Sequence, residues 1–214
     1  MATHLFSRAG SARCTIALCG AFLAVATAEV PRAHAEDPDH GKFLVASRDL
    51  SDPNFRQTVV LLLGHSPQGA MGLVVNRPAG APMNEILGEV DDLVTDDDTL
   101  FWGGPVTRGE VFVVFRATDA PEGAARVFGD VHVSRRIELL RRLLTSGDPE
   151  TFRVLVGYAG WAPGQLDAEI ERGDWSVLPA DPAIVFDAEP ETVWGRLVPP
   201  DPTGVARNDG RRPG

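Results

Sequence analysis

Two apolar segments predict the centre of the fold: residues 58–63 read Thr-Val-Val-Leu-Leu-Leu, and residues 71–75 read Met-Gly-Leu-Val-Val. Each has the length of a β-strand, and the first opens with β-branched residues that favour extended structure. Residues 66–69, Ser-Pro-Gln-Gly, are typical of a tight turn, so the two segments are predicted to pair as a hairpin. Because neither segment alternates with polar residues, both faces of the hairpin should be covered, which places it at the centre of a sheet.

Short strands and helices are predicted on both sides of this hairpin. The connections of hairpin length outnumber the helical crossovers, which predicts an α+β fold with a largely antiparallel sheet and a few short helices. The other predicted strands are residues 42–46, 99–102, 110–115, 126–133, 152–158, 175–178 and 184–186. The predicted helices are a short one from Pro82, one capped by Ser134 that ends at Gly147, residues 165–172 and residues 190–197.

Residues 1–35 have the features of a cleavable signal peptide. Arg8 and Arg13 precede an uncharged run at residues 14–28, and small residues at 33 and 35 favour cleavage after Ala35, with residues 26–28 as a second possible site. The uncharged run is shorter than the roughly 20 residues of a membrane-spanning helix, so no permanent membrane anchor is expected. We expect a periplasmic or secreted protein; a mis-assigned start and a cytoplasmic protein are the alternative.

Composition limits the remaining chain to one acidic domain. The whole sequence has 214 residues and a formal net charge of −10, which disfavours binding to nucleic acid. Both cysteines lie in the predicted leader, so no disulfide is expected. We predict a single domain over residues 36–198 and, from the Pro, Gly, Asp and Arg that follow, a disordered tail over residues 199–214.

The sequence predicts no catalytic residue, metal site or cofactor. His40, His65 and His132 are not spaced as metal ligands, and His132 is expected to be exposed on its strand. The aspartates within residues 91–98 lack the glycine and glutamate of a calcium-binding loop and are interpreted as a solvated acidic loop. The commonest motifs of hydrolases and nucleotide-binding proteins are absent from the sequence.

Polar and glycine-containing segments stand at the ends of several predicted strands. Glycines there permit close approach of the main chain, while amide, guanidinium and aromatic groups supply donors and flat apolar faces. If these ends converge, they form a cleft for a small or peptide-like ligand. The alternative is that they are tight turns and latches, with Arg77 paired to an acid such as Asp52. The predicted ligand-binding residues are Asn54, Asn76, Arg77, Gly104, Tyr158, Trp161 and Gln165.

The same segments resemble the bacterial YqgE/AlgH family, also called UPF0301 or DUF179. The matching stretches include residues 41–47, 52–55, 69–78 and 103–106, and the Gly-Tyr-Ala-Gly-Trp-x-x-Gly-Gln-Leu motif that starts at Gly157. The resemblance spans about residues 41–197. It implies a strongly curved, partly barrel-like sheet and no established enzymatic activity, with one family name taken from a proposed regulatory role in alginate synthesis.

The chain departs from the family pattern at positions that bear on function. Gln57 separates Arg56 from Thr58, Gly64 replaces the acid that usually precedes His65, and Phe115 stands near a frequent histidine. An Arg–acid–His set therefore cannot be transferred intact. The predicted leader is a further departure, because members of the family are generally read as cytosolic.

Three hypotheses for function follow from the sequence. The first is a non-catalytic binding or regulatory domain whose partner is a small molecule or a protein. The second is a hydrolase-like enzyme that uses His65 as a base, with Asp52 or Asn54 nearby. The third is a structural scaffold in which the glycine-containing segments only close turns.

Overall fold

The structure is a computed structural model that describes residues 41–80, 83, 87, 92–94, 99–146, 151–186 and 189–200. Its strands are β1 (Lys42–Ala46), β2 (Val59–Ser66), β3 (Gly69–Val74), β4 (Leu100–Trp102), β5 (Val106–Arg116), β6 (Ala124–Phe128), β7 (Val131–Ser134), β8 (Phe152–Trp161) and β9 (Trp175–Pro179). Its helices are α1 (Ile137–Ser146), α2 (Gln165–Glu171), α3 (Pro182–Phe186) and α4 (Pro190–Leu197).

The nine strands form one sheet that curls into a half-barrel. Their order is β6-β7-β5-β8-β3-β2-β1-β9, and every pair along this path is antiparallel. Strand β4 lies off the path and pairs in parallel with β8. The predicted α+β class, with a largely antiparallel and strongly curved sheet, is confirmed.

The β2–β3 hairpin lies inside the sheet and is covered on both faces, as its apolar sequence predicts. Leu61 pairs with Leu73 in the ladder, and a bulge interrupts the register between Leu62 and Gly64. Val59 and Leu61 belong to the core cluster on one face, whereas Val60 and Leu62 belong to a cluster on the other. A strand that alternates between two apolar environments needs no polar face.

One apolar cluster lies on one face of the curled sheet, and two more lie on the other face. The first cluster joins residues of strands β1 through β8 to α3 and α4. On the other face, α1 packs over β5 and β8 through Leu139 and Leu140. The second cluster of that face includes Leu166 of α2 and Trp175 of β9, so α2 packs over the β1–β3 region.

Three glycines allow two segments of main chain to cross closely beside β8. A Cβ atom at Gly104 would overlap the main chain of Tyr158 and Ala159, and one at Gly103 would overlap the carbonyl of Gly157. Gly104 and Gly157 also have positive φ, at 152° and 70°. The crossing therefore requires glycine for both space and conformation.

The structure corrects three local predictions. Residues 184–186 belong to helix α3, where the carboxylate of Asp181 accepts the N–H of Ala183 at 2.9 Å and stabilises the first turn. The predicted strand 126–133 is two strands, because Gly129 with φ 50° turns the chain between β6 and β7. His132 is buried rather than exposed, since its ring stacks on Phe115 with centroids 5.7 Å apart.

Some predictions fall outside the described residues. They concern the leader over 1–35, the helix from Pro82 apart from Met83 and Leu87, most of the acidic segment 91–98, and the tail beyond Pro200. Within the described ranges, no helix combines the length and the apolar composition needed to cross a bilayer.

Candidate functional site

The segment between β1 and β2 is held in place by two neighbouring side chains after β3. The Asn76 Oδ1 atom accepts the N–H of Val59 at 2.8 Å, and its Nδ2 atom donates to the carbonyl of Gln57 at 3.0 Å. The guanidinium of Arg77 donates to the carbonyls of Asn54, at 2.7 Å, and Arg56, at 3.1 Å. These contacts satisfy main-chain groups that lie outside the sheet ladder.

Arg77 acts on the main chain of this segment rather than through an ion pair with Asp52. The carboxylate of Asp52 instead accepts the N–H of Asn54 at 2.8 Å. Burial lowers the pKa of Arg77, the charge of Arg56 lowers it further, and the charge of Asp52 opposes both. The guanidinium stays protonated at neutral pH because its ordinary pKa is so high. Arg77 therefore acts as a latch, as the alternative hypothesis expects, but it bonds to main-chain carbonyls instead of to an acid.

Trp161 and Gln165 belong to a packed aromatic cluster around the carboxylate of Glu169. The indole N–H groups of Trp161 and Trp175 both donate to Oε2 of Glu169, at 2.8 and 2.9 Å. Gln165 donates to Oε1 at 2.9 Å. Phe55 lies 6.1 Å from the Trp161 ring and 5.6 Å from the Trp175 ring, between centroids. These distances are those of rings in direct contact.

The structure brings five of the seven predicted residues to one region but not all of them. Asn54, Asn76 and Arg77 hold the segment that carries Phe55, and Phe55 packs on Trp161 near Gln165. Tyr158 lies on the opposite face of β8, where its ring packs on Phe112 at 6.1 Å. Gly104 lies at the main-chain crossing. Tyr158 and Gly104 therefore do not take part in the contacts that join the other five residues.

A groove of about 840 Å³ opens nearby, where β1 ends and β2 and β9 begin. We call it the rim groove. Its lining residues are Ser47, Arg48, Asp49, Gln57, Gly173, Ser176, Trp194, Val198, Pro199 and Pro200. None of the seven predicted residues lines it. Asn76 nevertheless contributes indirectly, because it holds the main chain of Gln57.

The rim groove combines an aromatic ring, a cation and a strained main chain. The guanidinium of Arg48 lies over the Trp194 ring, 5.6 Å from its centroid. Trp194 is fixed in turn, since its indole N–H donates to the carbonyl of Ala46 at 2.7 Å. Gln57 has a φ of 57°, a left-handed conformation that is unfavourable for a residue other than glycine. Strain of this kind is often found at binding sites.

Sequence reasoning missed the two main residues of this groove. Trp194 lies in the helix that the sequence predicts over residues 190–197, but neither Trp194 nor Arg48 is among the predicted ligand-binding residues. The signal that selected Asn54, a polar residue just outside a strand, applies equally to Arg48, which lies two positions after β1. Nothing in the sequence shows that α4 returns to the end of β1.

The histidine of the hydrolase hypothesis lies elsewhere. The Nε2 atom of His65 is 3.1 Å from a carboxylate oxygen of Asp167 on α2, and His65 does not line the rim groove. A histidine beside an acid supplies two of the three members of a catalytic triad, and catalysis also requires a nucleophile within reach of the histidine. In the part of the chain that the structure covers, no group of three His, Cys, Asp or Glu residues is arranged to hold a metal ion.

Comparison with known proteins gives a consistent match over the described domain. A model of the DUF179 family, described as AlgH-like, matches residues 43–199. A UPF0301 protein of Methylococcus capsulatus is 38% identical over 170 residues, which cover 78% of this chain and 92% of that protein. A UPF0301 protein of Anaeromyxobacter dehalogenans is 38% identical over 166 residues, covering 73% of this chain and 84% of the relative.

Two solved structures are similar in both sequence and fold. The solution structure of the AlgH protein of Pseudomonas aeruginosa has a TM-score of 0.64 and 35% identity, and the match covers 77% of this chain and 89% of that one. A crystal structure of a Corynebacterium diphtheriae protein has a TM-score of 0.60 and 28% identity, covering 80% and 91% of the two chains.

Proposed function

Because the chain belongs to the AlgH-like DUF179 family, for which no activity is established, we propose a function from its own geometry: it is a non-catalytic domain that binds a small ligand in the rim groove. Such a domain would act as a regulator through the ligand-bound state. The observation that carries the proposal is a set of polar side chains in this groove, Arg48, Gln57 and Ser176, that form no hydrogen bond or ion pair with the part of the chain that the structure describes.

The contrast with neighbouring polar groups supports this proposal. Asn76, Arg77 and Glu169 all have acceptors or donors within the protein. In the described residues, the side chains of Gln57 and Ser176 form no hydrogen bond with protein, and Arg48 forms no ion pair. Small-ligand sites typically combine apolar walls with a few such polar groups, and the mouth of a β-barrel is a common place for them.

The position of His65 disfavours the hydrolase hypothesis. A general base must reach the proton that it removes, directly or through one water molecule. His65 contacts Asp167 on the side of α2 and lies outside the groove that would receive a substrate. A His65→Gln variant should therefore bind any ligand of the rim groove with unchanged affinity.

A pair of adjacent substitutions in β9 tests the rim groove. Ser176 lines the groove, whereas Val177 points to the other face of the strand and is 40% exposed. Native mass spectrometry of the full chain, purified from a bacterial host, should reveal a retained small molecule. Screening of a small-molecule mixture by NMR should shift amides of residues 47–49 and 57.

The two variants give opposite expectations. Ser176→Trp should fill the groove and abolish both signals, while Val177→Trp should preserve them, because the added ring lies outside. Circular dichroism and thermal unfolding should show that both variants fold. Retained binding in Ser176→Trp, or shifts confined to another surface, would contradict the proposal.

We further propose that the domain works outside the cytoplasm after loss of residues 1–35. The support is the basic start, the uncharged run and the small residues before Glu36. The intact mass of the protein purified from periplasmic and cytoplasmic fractions tests this. A mass that begins at Glu36 in the periplasm is expected, and a full-length cytoplasmic chain would contradict export.

A further inference from the structure

The rim groove also carries information about the chemistry of its ligand. Resting on the function proposed above, we infer that the ligand is a small organic carboxylate with an apolar body, and that Arg48 recognises the carboxylate. Arg48 would then be the residue that determines specificity. The inference follows from how Arg48 is held, from what surrounds it and from the charge of the whole protein.

Arg48 presents a cation that the described protein leaves without a counter-ion. The sequence contains 30 acidic residues and 20 basic ones, so carboxylates are abundant. The ion pairs of the described residues nevertheless join Arg116, Arg135, Arg141 and Arg172 to acids and do not include Arg48. The contact that Arg48 does make is with the Trp194 ring. Its five N–H donors are thus free of carboxylate oxygens among these residues.

The ring of Trp194 orients the guanidinium of Arg48 so that it can bind an anion. A guanidinium that lies over an aromatic face keeps its donors at its edge, where a carboxylate can bind two of them in one plane. Trp194 is itself fixed by the 2.7 Å hydrogen bond to Ala46, so the support under Arg48 is rigid. Less conformational freedom is then lost when the ligand binds.

The remaining walls of the rim groove favour a ligand with an apolar body. Val198, Pro199 and Pro200 supply an apolar wall beside Trp194, and the hydroxyls of Ser47 and Ser176 stand with them in the lining. The volume of about 840 Å³ lies within the range of sites for small organic molecules. An inorganic anion would leave the apolar wall uncovered.

Asp49 and the net charge of the protein both bear on the charge that the ligand carries. Asp49 also lines the groove, but among the described residues no aromatic ring orients it as Trp194 orients Arg48. The protein carries a net charge of −10, which repels ligands with several negative charges. A single carboxylate is therefore favoured over a phosphate ester, and recognition of an amine by Asp49 becomes an alternative outcome of the test.

Three probes of the same shape separate these possibilities: 3-phenylpropionate, its neutral amide 3-phenylpropionamide, and 3-phenylpropylamine. Each is titrated into the full ¹⁵N-labelled chain, and the amide signals of Arg48 and Gln57 and the indole signal of Trp194 are followed by NMR. We expect the carboxylate to bind at least about tenfold more tightly than the other two, as loss of a charge-assisted contact implies.

Variants assign the preference to Arg48. Arg48→Gln should remove the tenfold preference, and Arg48→Lys should restore only part of it, because an ammonium lacks the planar pair of donors. Arg196→Gln is the matched control, since Arg196 is exposed in the last turn of α4 and does not line the groove. It should leave the preference unchanged.

The outcomes distinguish the ligand class from the groove itself. Equal binding of acid and amide, tighter binding of the amine, or no binding by any probe would overturn the carboxylate inference. In those cases a retained ligand that Ser176→Trp excludes would still support the proposed function. Tight carboxylate binding that persists in Ser176→Trp would instead overturn the rim groove and the carboxylate inference together.

Discussion

The segment between β1 and β2 has two sides with opposite chemistry. On one side Phe55 packs against Trp161 and Trp175, and the indole N–H groups of both tryptophans donate hydrogen bonds to the carboxylate of Glu169. On the other side the same segment lines the rim groove, where Arg48 rests on a ring without an ion pair among the described residues. On the first side the polar groups are hydrogen-bonded within the protein, whereas on the second side donors face the groove.

This difference separates residues that stabilise the fold from residues that bind. A polar group satisfied inside the protein loses its partner when it is changed, and the free energy of unfolding falls. A polar group that faces a groove loses nothing in the free protein. The two sides should therefore respond oppositely, one in stability and the other in affinity, and each variant below tests that separation.

The largest effect is expected at Gly104, which the sequence predicted as a ligand contact. Gly104→Ala would place a Cβ atom in the main chain of Tyr158 and would need a φ near 152°. We expect the free energy of unfolding to fall by about 3–5 kcal/mol, or the chain not to fold. Urea denaturation measures this loss.

Gly109→Ala provides the control for Gly104. Gly109 also lies near the start of β5, but no other described residue comes within 4 Å of the position that its Cβ would take. Its change in stability should stay within about 0.5 kcal/mol. A stable Gly104→Ala protein that fails to bind a groove ligand would restore Gly104 as a ligand contact and contradict its structural role.

The next effect is expected at Glu169 in the aromatic cluster. Glu169→Ala leaves the N–H groups of two buried tryptophans without an acceptor, so we expect a loss of about 2–4 kcal/mol in unfolding free energy. Glu171→Ala, at an exposed position of the same helix, should change stability by less than about 0.5 kcal/mol. Similar losses in both variants would show that the indole contacts do not stabilise this side.

The fold could be predicted largely from local pattern. Residues 42–46 and 190–197 form the predicted strand and helix with the predicted bounds, and the β2–β3 hairpin has both faces covered. Residues 184–186 were assigned wrongly because an apolar triplet is compatible with a strand or a buried helix, and the capping by Asp181 decided the outcome. His132 was assigned wrongly because alternation indicates a face but not what covers that face.

The candidate site could be predicted only in part. The positions of strand ends indicate the segment that Asn54, Asn76 and Arg77 hold, but not whether their polar atoms face inward or outward. Tyr158 and Trp161 are three residues apart in one motif, and a strand places them on opposite faces. The approach of Trp194 to Arg48 depends on the path of the chain over nearly 150 residues, which no local spacing encodes.

A moderate effect is expected at Arg77. Arg77→Lys keeps the charge, but one ammonium cannot reach the separate carbonyls of Asn54 and Arg56 that the guanidinium contacts. We expect a loss of about 1–2 kcal/mol in unfolding free energy and faster amide hydrogen exchange over residues 52–57. Arg56→Lys in the same segment is the control and should change stability by less than about 0.5 kcal/mol. Unchanged amide exchange in Arg77→Lys would show that Arg77 does not hold this segment in place.

The smallest effect on stability, and the sharpest separation of the two sides, is expected at Gln57. Its φ of 57° costs a residue with a Cβ atom roughly 1–2 kcal/mol, and Gln57→Gly removes that cost. Glycine also gives the unfolded chain more freedom, worth about 0.5–1 kcal/mol, so the net change in stability should be within about 1 kcal/mol.

Thr107→Gly is the matched control, because Thr107 also has a positive φ, 43°, but does not line the rim groove. Both variants should unfold at similar denaturant concentrations, yet only Gln57→Gly should weaken 3-phenylpropionate binding, since it alone removes a side-chain amide from the groove. Equal affinity in the two proteins would mean that Gln57 belongs, like Asn76 and Arg77, to the side that only stabilises the fold.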